Sequence, residues 1–178
     1  YGPVIATRRK EVFLASKTHY KTYDDTVRSI ETTLTNLQTD HLDLMQMHKI
    51  GSVSNVENRL DPDRGPLKAV IEAKEQGMIK YIGCTGHKLP GVMVTALNAY
   101  PFDTVLIPTN AADIHFHSFL TNTVPMANEK NVGIVGMKIV GRGRLIRDGV
   151  ADSIAPLLRY ALSQPITTAI VGFDTVQQ

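Results

Sequence analysis

Lysine and histidine are side chains suited to proton transfer and charge stabilisation, and in this sequence each closes an apolar run. "VFLASK" ends on Lys17, and "HLDLMQMH" ends on His48. Later runs end in the same manner, on Thr85 with Gly86, on Asn110, on Lys138 and on Gly172. A single lysine at a strand end is usually a solvated or structural residue, and a single histidine usually a satisfied core or loop residue. Two such groups gathered at one mouth are a candidate site for acid–base chemistry. The apolar "VFLAS" before Lys17 predicts burial of its stem, and a buried ammonium either has a lowered pKa or needs a carboxylate.

The elements that must position these residues follow from the pattern. "EVFLASK", "HLDLMQMH", "IKYIGCTG", "DTVLIPTN", "VGIVGMKIV" and "TTAIVGF" read as strands, apolar enough to be buried on both faces. Between them, "DDTVRSIETTLTNLQ", "PLKAVIEAKEQG", "LPGVMVTALNAY", "FLTNTVPMANEKN" and "ADSIAPLLRYALSQ" carry helical spacing. Asp24 or Asp25 is the expected cap of the first of these helices, and Gly77 closes the second. Repeated βα units of this kind predict an α/β fold with a parallel sheet, either a (β/α)8 TIM barrel or an open doubly wound sheet. In a barrel the strand-end residues would converge on one mouth, at the C-terminal ends of the strands.

A closed barrel has eight strands and typically about 250 residues, whereas this sequence has 178 residues and six predicted strands. The opening "YGPVIATRRKE" reads as the tail of a helix, and the chain stops at "DTVQQ", where another helix is expected. Residues 1–178 are therefore expected to form one partial barrel domain, with about six of the eight strands.

Composition narrows the function classes. With 43% hydrophobic residues the chain can bury a substantial core, and its net charge of +2 gives no footprint for nucleic acid. The single cysteine, Cys84, lies in an apolar stretch, which rules out an intrachain disulfide and cysteine-built metal sites and suits a reducing, cytoplasmic setting. No apolar run reaches the roughly 20 residues that span a bilayer, so no membrane partner is expected. His115 and His117 in "IHFH" would share a face if extended, but no strand is predicted there and no third ligand follows, so no metal is expected. "GRGRLIR" offers glycines for close backbone approach and arginines for a phosphate, with a solvated basic loop as the alternative.

Together "EVFLASK", "SIETTLTNLQTDHLDLMQMH", "IKYIGCTGH", "PFDTVLIPTN", "GIVGMK" and "RYALSQPITTAIVGFDT" resemble the aldo-keto reductases, in the family's order and across essentially the whole chain. The resemblance implies a (β/α)8 barrel that binds a nicotinamide cofactor in extended form and reduces an aldehyde or ketone. Family enzymes use a tetrad of Asp, Tyr, Lys and His. The resemblance assigns the lysine to Lys17, which lowers the pKa of the tyrosine acid, and the histidine to His48, which orients the carbonyl. The Asp and Tyr have no match in this sequence. Tyr1-Gly2 invites comparison with the catalytic Tyr-Gly, but its spacing from Lys17 suits the family's later Leu-Gly, so Tyr1 is given no catalytic role. The 178 residues alone are accordingly expected to be inactive.

The resemblance also implies the cofactor contacts. Thr85 and Asn110 fall where the nicotinamide amide is held, and Met137 stands where many members stack an aromatic ring. Lys138, Gly141 and Gly143, assisted by Arg142, match the pyrophosphate clasp, while Gly172, Thr175 and Gln178 match the adenosine-phosphate segment. The family usually uses NADPH, which the resemblance makes the expected cofactor; many members hold the 2′-phosphate with an arginine where this chain has Gln178, so NADH is the alternative. Two other readings use the same barrel: a cofactor-binding regulatory relative without turnover, and a Schiff-base lyase with Lys17 or Lys138 as nucleophile. The carbonyl substrate and the oligomeric state are not specified by these residues.

Overall fold

The computed structural model describes residues 1–172. Among them, six parallel strands form one sheet: β1 (Ala15–Thr18), β2 (Leu42–Met47), β3 (Ile79–Thr85), β4 (Thr104–Pro108), β5 (Gly133–Met137) and β6 (Thr168–Ala169). The helices are α1 (Gly2–Arg8), α2 (Tyr23–Leu37), α3 (Val53–Arg59), α4 (Gly65–Glu75), α5 (Pro90–Ala99), α6 (Phe119–Glu129) and α7 (Ile154–Ser163). The five helices expected between strands are α2, α4, α5, α6 and α7. Helix α3, inside the polar connection from β2 to α4, adds to that set: Val53, Val56 and Leu60 recur at helical spacing, but over seven residues of helix the run is too short to announce it.

Strand order separates the two architectures that the βα pattern allows. The strands lie in the order β1-β2-β3-β4-β5-β6. A doubly wound sheet reverses direction at a switch point, whereas right-handed crossovers that always step the same way put every helix on one side, the winding of a (β/α)8 barrel. Burial agrees. Met45, Met47, Ile82, Cys84, Val105, Ile107 and Ile134 point outward into one core with Ile30, Leu67, Val70, Met93, Leu97 and Val124 of the helices. The alternate positions face the inner side; Ala15, Lys17 and Tyr81 keep solvent exposure there, while Leu44, Gln46, Thr85 and Leu106 are buried. No helix among the described residues is long and apolar enough to cross a membrane.

Three local expectations are corrected. Strand β1 begins at Ala15 rather than Glu11, because Arg9–Glu11 form a 3-10 turn. That turn is pinned by Asp43, which pairs with Arg9 at 2.8 Å and accepts from the Leu14 N–H at 2.7 Å. The cap of α2 is Thr22, not Asp24 or Asp25: its hydroxyl accepts from the Asp25 N–H at 3.2 Å, and the two acids sit in the first turn at the positive end of the helix dipole. Strand β5 stops at Met137 rather than running to Val140, because Lys138 turns the chain with φ +56°.

Candidate active site

Parallel pairing fixes which side chains share the lumen. Lys17 lies opposite Gln46, and Gln46 lies opposite Gly83. His48 and Thr85, each two residues further along, point the same way by the period of two in a strand. Neighbouring strands about 4.8 Å apart and a rise of about 3.3 Å per residue place the Lys17 and His48 backbones about 8 Å from each other. The strand ends are tied together beyond the ladders. The His48 N–H donates to the Thr18 carbonyl at 2.8 Å, the Ile50 N–H to the Thr85 carbonyl at 2.6 Å, and the Gly86 N–H to the Leu106 carbonyl at 3.2 Å. A Cβ on Gly86 would stand 2.7 Å from the Ile50 carbonyl oxygen, so this knot requires glycine.

Lys17 is exposed rather than stem-buried, because the inner side of β1 is open. His48 is half-buried, and its pKa is lowered first by burial and then by the positive charges of Lys17 and Lys49. A depressed imidazole pKa favours the neutral ring at neutral pH, a form that still donates one N–H.

Next to this pair, the Thr85 side chain is 1% exposed, and its hydroxyl has no hydrogen-bond partner. An orphaned hydroxyl at the mouth fits a site that expects a polar ligand. Asn110 accepts from the Ala112 N–H at 3.0 Å through its side-chain oxygen, which commits that oxygen to the turn and leaves the amide nitrogen as the donor available to a ligand. Met137, half-buried and paired with Pro108, faces the same side. It offers a polarisable thioether where the family resemblance implies an aromatic stack.

At the other side of the mouth the backbone changes character. Lys138, Gly141, Arg142 and Gly143 have φ of +56°, +56°, +60° and +82°. Such left-handed turns direct successive N–H groups into a concavity that suits an anion. Gly141 is needed twice, since a Cβ there would also lie 2.9 Å from the Leu145 Cγ. Lys138, Arg142, Gly143 and Gly172 line a cleft of about 680 Å³ with Val140 and Ile170, a size suited to a cofactor. Burial and the adjacent Arg142 lower the Lys138 pKa. Thr175 and Gln178 lie outside the described residues. His115 and His117 are exposed and stand apart from the strand-end ring, in and after a 3-10 turn. Among the described residues no three His, Cys, Asp or Glu side chains gather as for a metal.

Four residues absent from the sequence expectations belong to this mouth. His87 has its pKa lowered by burial and by Lys138, Lys49 and Arg142, so those cations face it from both sides. His19 and Lys49 flank His48. Arg59, only 5% exposed, donates to the Thr18 carbonyl at 3.2 Å and to the Tyr20 carbonyl at 3.1 Å. Its sequence neighbourhood is a polar connection, and nothing in the spacing marks it. Only the fold brings it beneath β1.

The chain matches the model of the aldo/keto reductase family over residues 1–155. It is 26% identical over 168 residues to methylglyoxal reductase DkgB of Salmonella typhimurium, covering 92% of this chain and 59% of that protein. It is also 26% identical over 153 residues to aldo-keto reductase yakc [NADP(+)] of Schizosaccharomyces pombe, covering 78% of this chain and 42% of that protein. The chain thus spans about half the length of the curated relatives it matches. Its fold superposes on the holo form of aldo-keto reductase AKR11C1 from Bacillus halodurans with a TM-score of 0.77, at 21% identity, over 99% of this chain and 68% of that one.

Proposed function

The chain belongs to the aldo/keto reductase family, and from that premise we propose that its protein reduces an aldehyde or ketone to the alcohol with NADPH, NADH being the alternative. We further propose that residues 1–178 are part of one barrel domain. The observation that carries the proposal is the convergence of Lys17, His48 and Thr85 on the inner side of three adjacent strands. In this reading neutral His48 donates an N–H to the carbonyl oxygen and orients it, while the Lys17 ammonium lowers the pKa of a tyrosine supplied by the full protein, which would give the oxygen its proton as hydride reaches the carbon. When bound, the cofactor supplies the hydride. The Thr85 hydroxyl and the Asn110 amide would hold the nicotinamide amide, with Met137 against the ring. The turn at Gly141–Gly143, with Lys138 and Arg142, would hold the pyrophosphate, and Gly172, Thr175 and Gln178 the adenosine end. The tyrosine acid of the family and its aspartate have no match among these 178 residues, so the polypeptide of these residues alone should bind cofactor without turnover. The buried Cys84 thiol, its pKa raised by burial, suits the reducing cytoplasmic setting proposed for the protein.

The test is carbonyl-dependent NADPH oxidation by the full protein that contains this chain. Lys17→Met and His48→Gln should each lower kcat by at least about 100-fold. Unchanged kcat in both variants would remove the assignment. The lyase reading is kept by the lowered pKa of Lys138, which suits an amine that attacks carbonyls. Borohydride trapping of a carbonyl compound on Lys138 or Lys17 would favour that reading, and its failure alongside NADPH oxidation would exclude it.

A further inference from the structure

Beside His48, on the side away from the cofactor cleft, a second cavity of about 380 Å³ is lined by His19, Lys21, His48, Lys49, Asn55 and Arg59. Five of these six side chains are cationic or become so on protonation, and none is acidic. Arg59 is nine-tenths buried, always charged, and bonded among the described residues only to the neutral carbonyls of Thr18 and Tyr20. Of the two acids nearest in sequence, Glu57 is exposed and makes no ion pair with Arg59, and Asp61 is engaged by Arg64 at 2.7 Å and by the Asp63 N–H at 2.9 Å. Asp25, beyond His19, pairs with Arg28 at 2.5 Å. A guanidinium taken out of water without a counter-charge is costly, and basic neighbours raise the cost further. A solvated basic loop does not bury its arginine, and an anion held in this cavity would supply the counter-charge.

We infer that this cavity is an oxyanion subsite for the substrate, so that the carbonyl compound reduced at His48 carries a carboxylate or phosphate group held by Lys49, His19 and Arg59. The inference rests on the reductase reading, because it takes His48 as the place where the carbonyl sits. It separates two anion sites by position: the cofactor's phosphates belong to the loops after β5 and β6, and the substrate's oxyanion to those after β1 and β2. Arg59 also links the subsite to the chemistry, since the Thr18 carbonyl it holds is the one that anchors the His48 N–H.

The test compares 4-formylbenzoate, its methyl ester and 4-formylphenyl phosphate as substrates of the full protein. The ester is the more electron-poor of the two benzoyl compounds, so a preference for the free acid runs against intrinsic reactivity. Either oxyanion should exceed the ester in kcat/KM by about 10-fold, the worth of one charge-assisted contact, and their ratio tells carboxylate from phosphate. Lys49→Gln and His19→Gln should bring the acid and ester toward parity. Arg59→Gln is informative only if folded, because it also holds two carbonyls. In parallel, inorganic phosphate is titrated by calorimetry into the wild type, Lys49→Gln and Arg142→Gln without cofactor, with weakening expected in Lys49→Gln beyond that in Arg142→Gln. Equal kcat/KM for acid and ester overturns the inference and leaves the reductase reading standing. If no aldehyde supports NADPH oxidation the reductase reading falls, and phosphate binding that Lys49→Gln does not weaken then removes the subsite as well.

Discussion

The loops after β1 and β2 and the loop after β5 both present positive charge to one mouth, yet they build it by opposite means. After β1 and β2 the charge is on side chains, with His48 anchored through its backbone to Thr18 and Arg59 buried behind it. After β5 it is largely on the backbone, which runs through four left-handed residues between Lys138 and Gly143 and keeps Arg142 exposed. Side chains can be aimed at a single reacting atom, and they suit chemistry. Backbone N–H groups in a turn make a broad concavity, and they suit a constant, multiply charged group such as a pyrophosphate. The difference predicts which substitutions should damage turnover and which should damage cofactor affinity.

The largest effect should come from the side-chain region. The loss of at least about 100-fold in kcat expected for Lys17→Met and His48→Gln should leave the NADPH Kd, measured by fluorescence titration, within about twofold of the wild type. A parallel loss of NADPH affinity would break the division, since these two residues would then be part of the cofactor site. The second effect belongs to the backbone region. Gly141→Ala places a Cβ at φ +56° and 2.9 Å from the Leu145 Cγ. A left-handed non-glycine residue costs about 1–2 kcal/mol, so NADPH affinity should fall by about 10-fold with kcat at saturation little changed. Arg142→Gln, which removes an exposed charge but keeps the turn, should cost less, about 5-fold at most. If Arg142→Gln proves the more damaging of the two, the clasp works through its side chain after all.

How much of this was legible in the sequence follows the same division. Strand-end residues such as Lys17, His48 and Thr85 could be read because an apolar run announces its own end, and the alternation of two puts them on one face. The βα pattern by itself left barrel and doubly wound sheet open, since both are built from the same units, and only the family resemblance pointed to the barrel. The order of strands decides it, and order is a long-range property. Glycines 141 and 143 announced a special turn, although the left-handed φ of Lys138 and Arg142 did not, because neither residue type prefers it. Arg59 was invisible for a further reason. Its role depends on the carbonyls of Thr18 and Tyr20, some 40 positions away, and on a helix of 7 residues, too short for the spacing of Val53 and Val56 to stand out. The capping of α2 by Thr22 rather than by the adjacent acids is a smaller case, decided by which side-chain oxygen reaches the Asp25 N–H.

The smallest expected effect is the sharpest probe of the comparison, because two histidines share Lys49 but each has a lysine of its own region beside it, Lys17 for His48 and Lys138 for His87. His48 has its pKa lowered by burial first, then by Lys17 and Lys49; His87 by burial first, then by Lys138. Removing a positive neighbour eases protonation, so Lys17→Met should raise the His48 pKa and leave His87 nearly where it was. Lys138→Met should raise His87 and leave His48. Both shifts should be modest at these partly exposed positions, and are readable from imidazole resonances in an NMR titration. The sign carries over to stability. A histidine with a folded pKa below its unfolded value of about 6.5 binds fewer protons folded than unfolded, so each contributes stability above that pH that is lost as pH falls through the folded pKa. Lys17→Met should therefore flatten the acid limb of the stability curve. If one substitution instead moved both histidines equally, the mouth would be a single electrostatic basin, and assigning one side to chemistry and the other to the cofactor would need a basis other than charge.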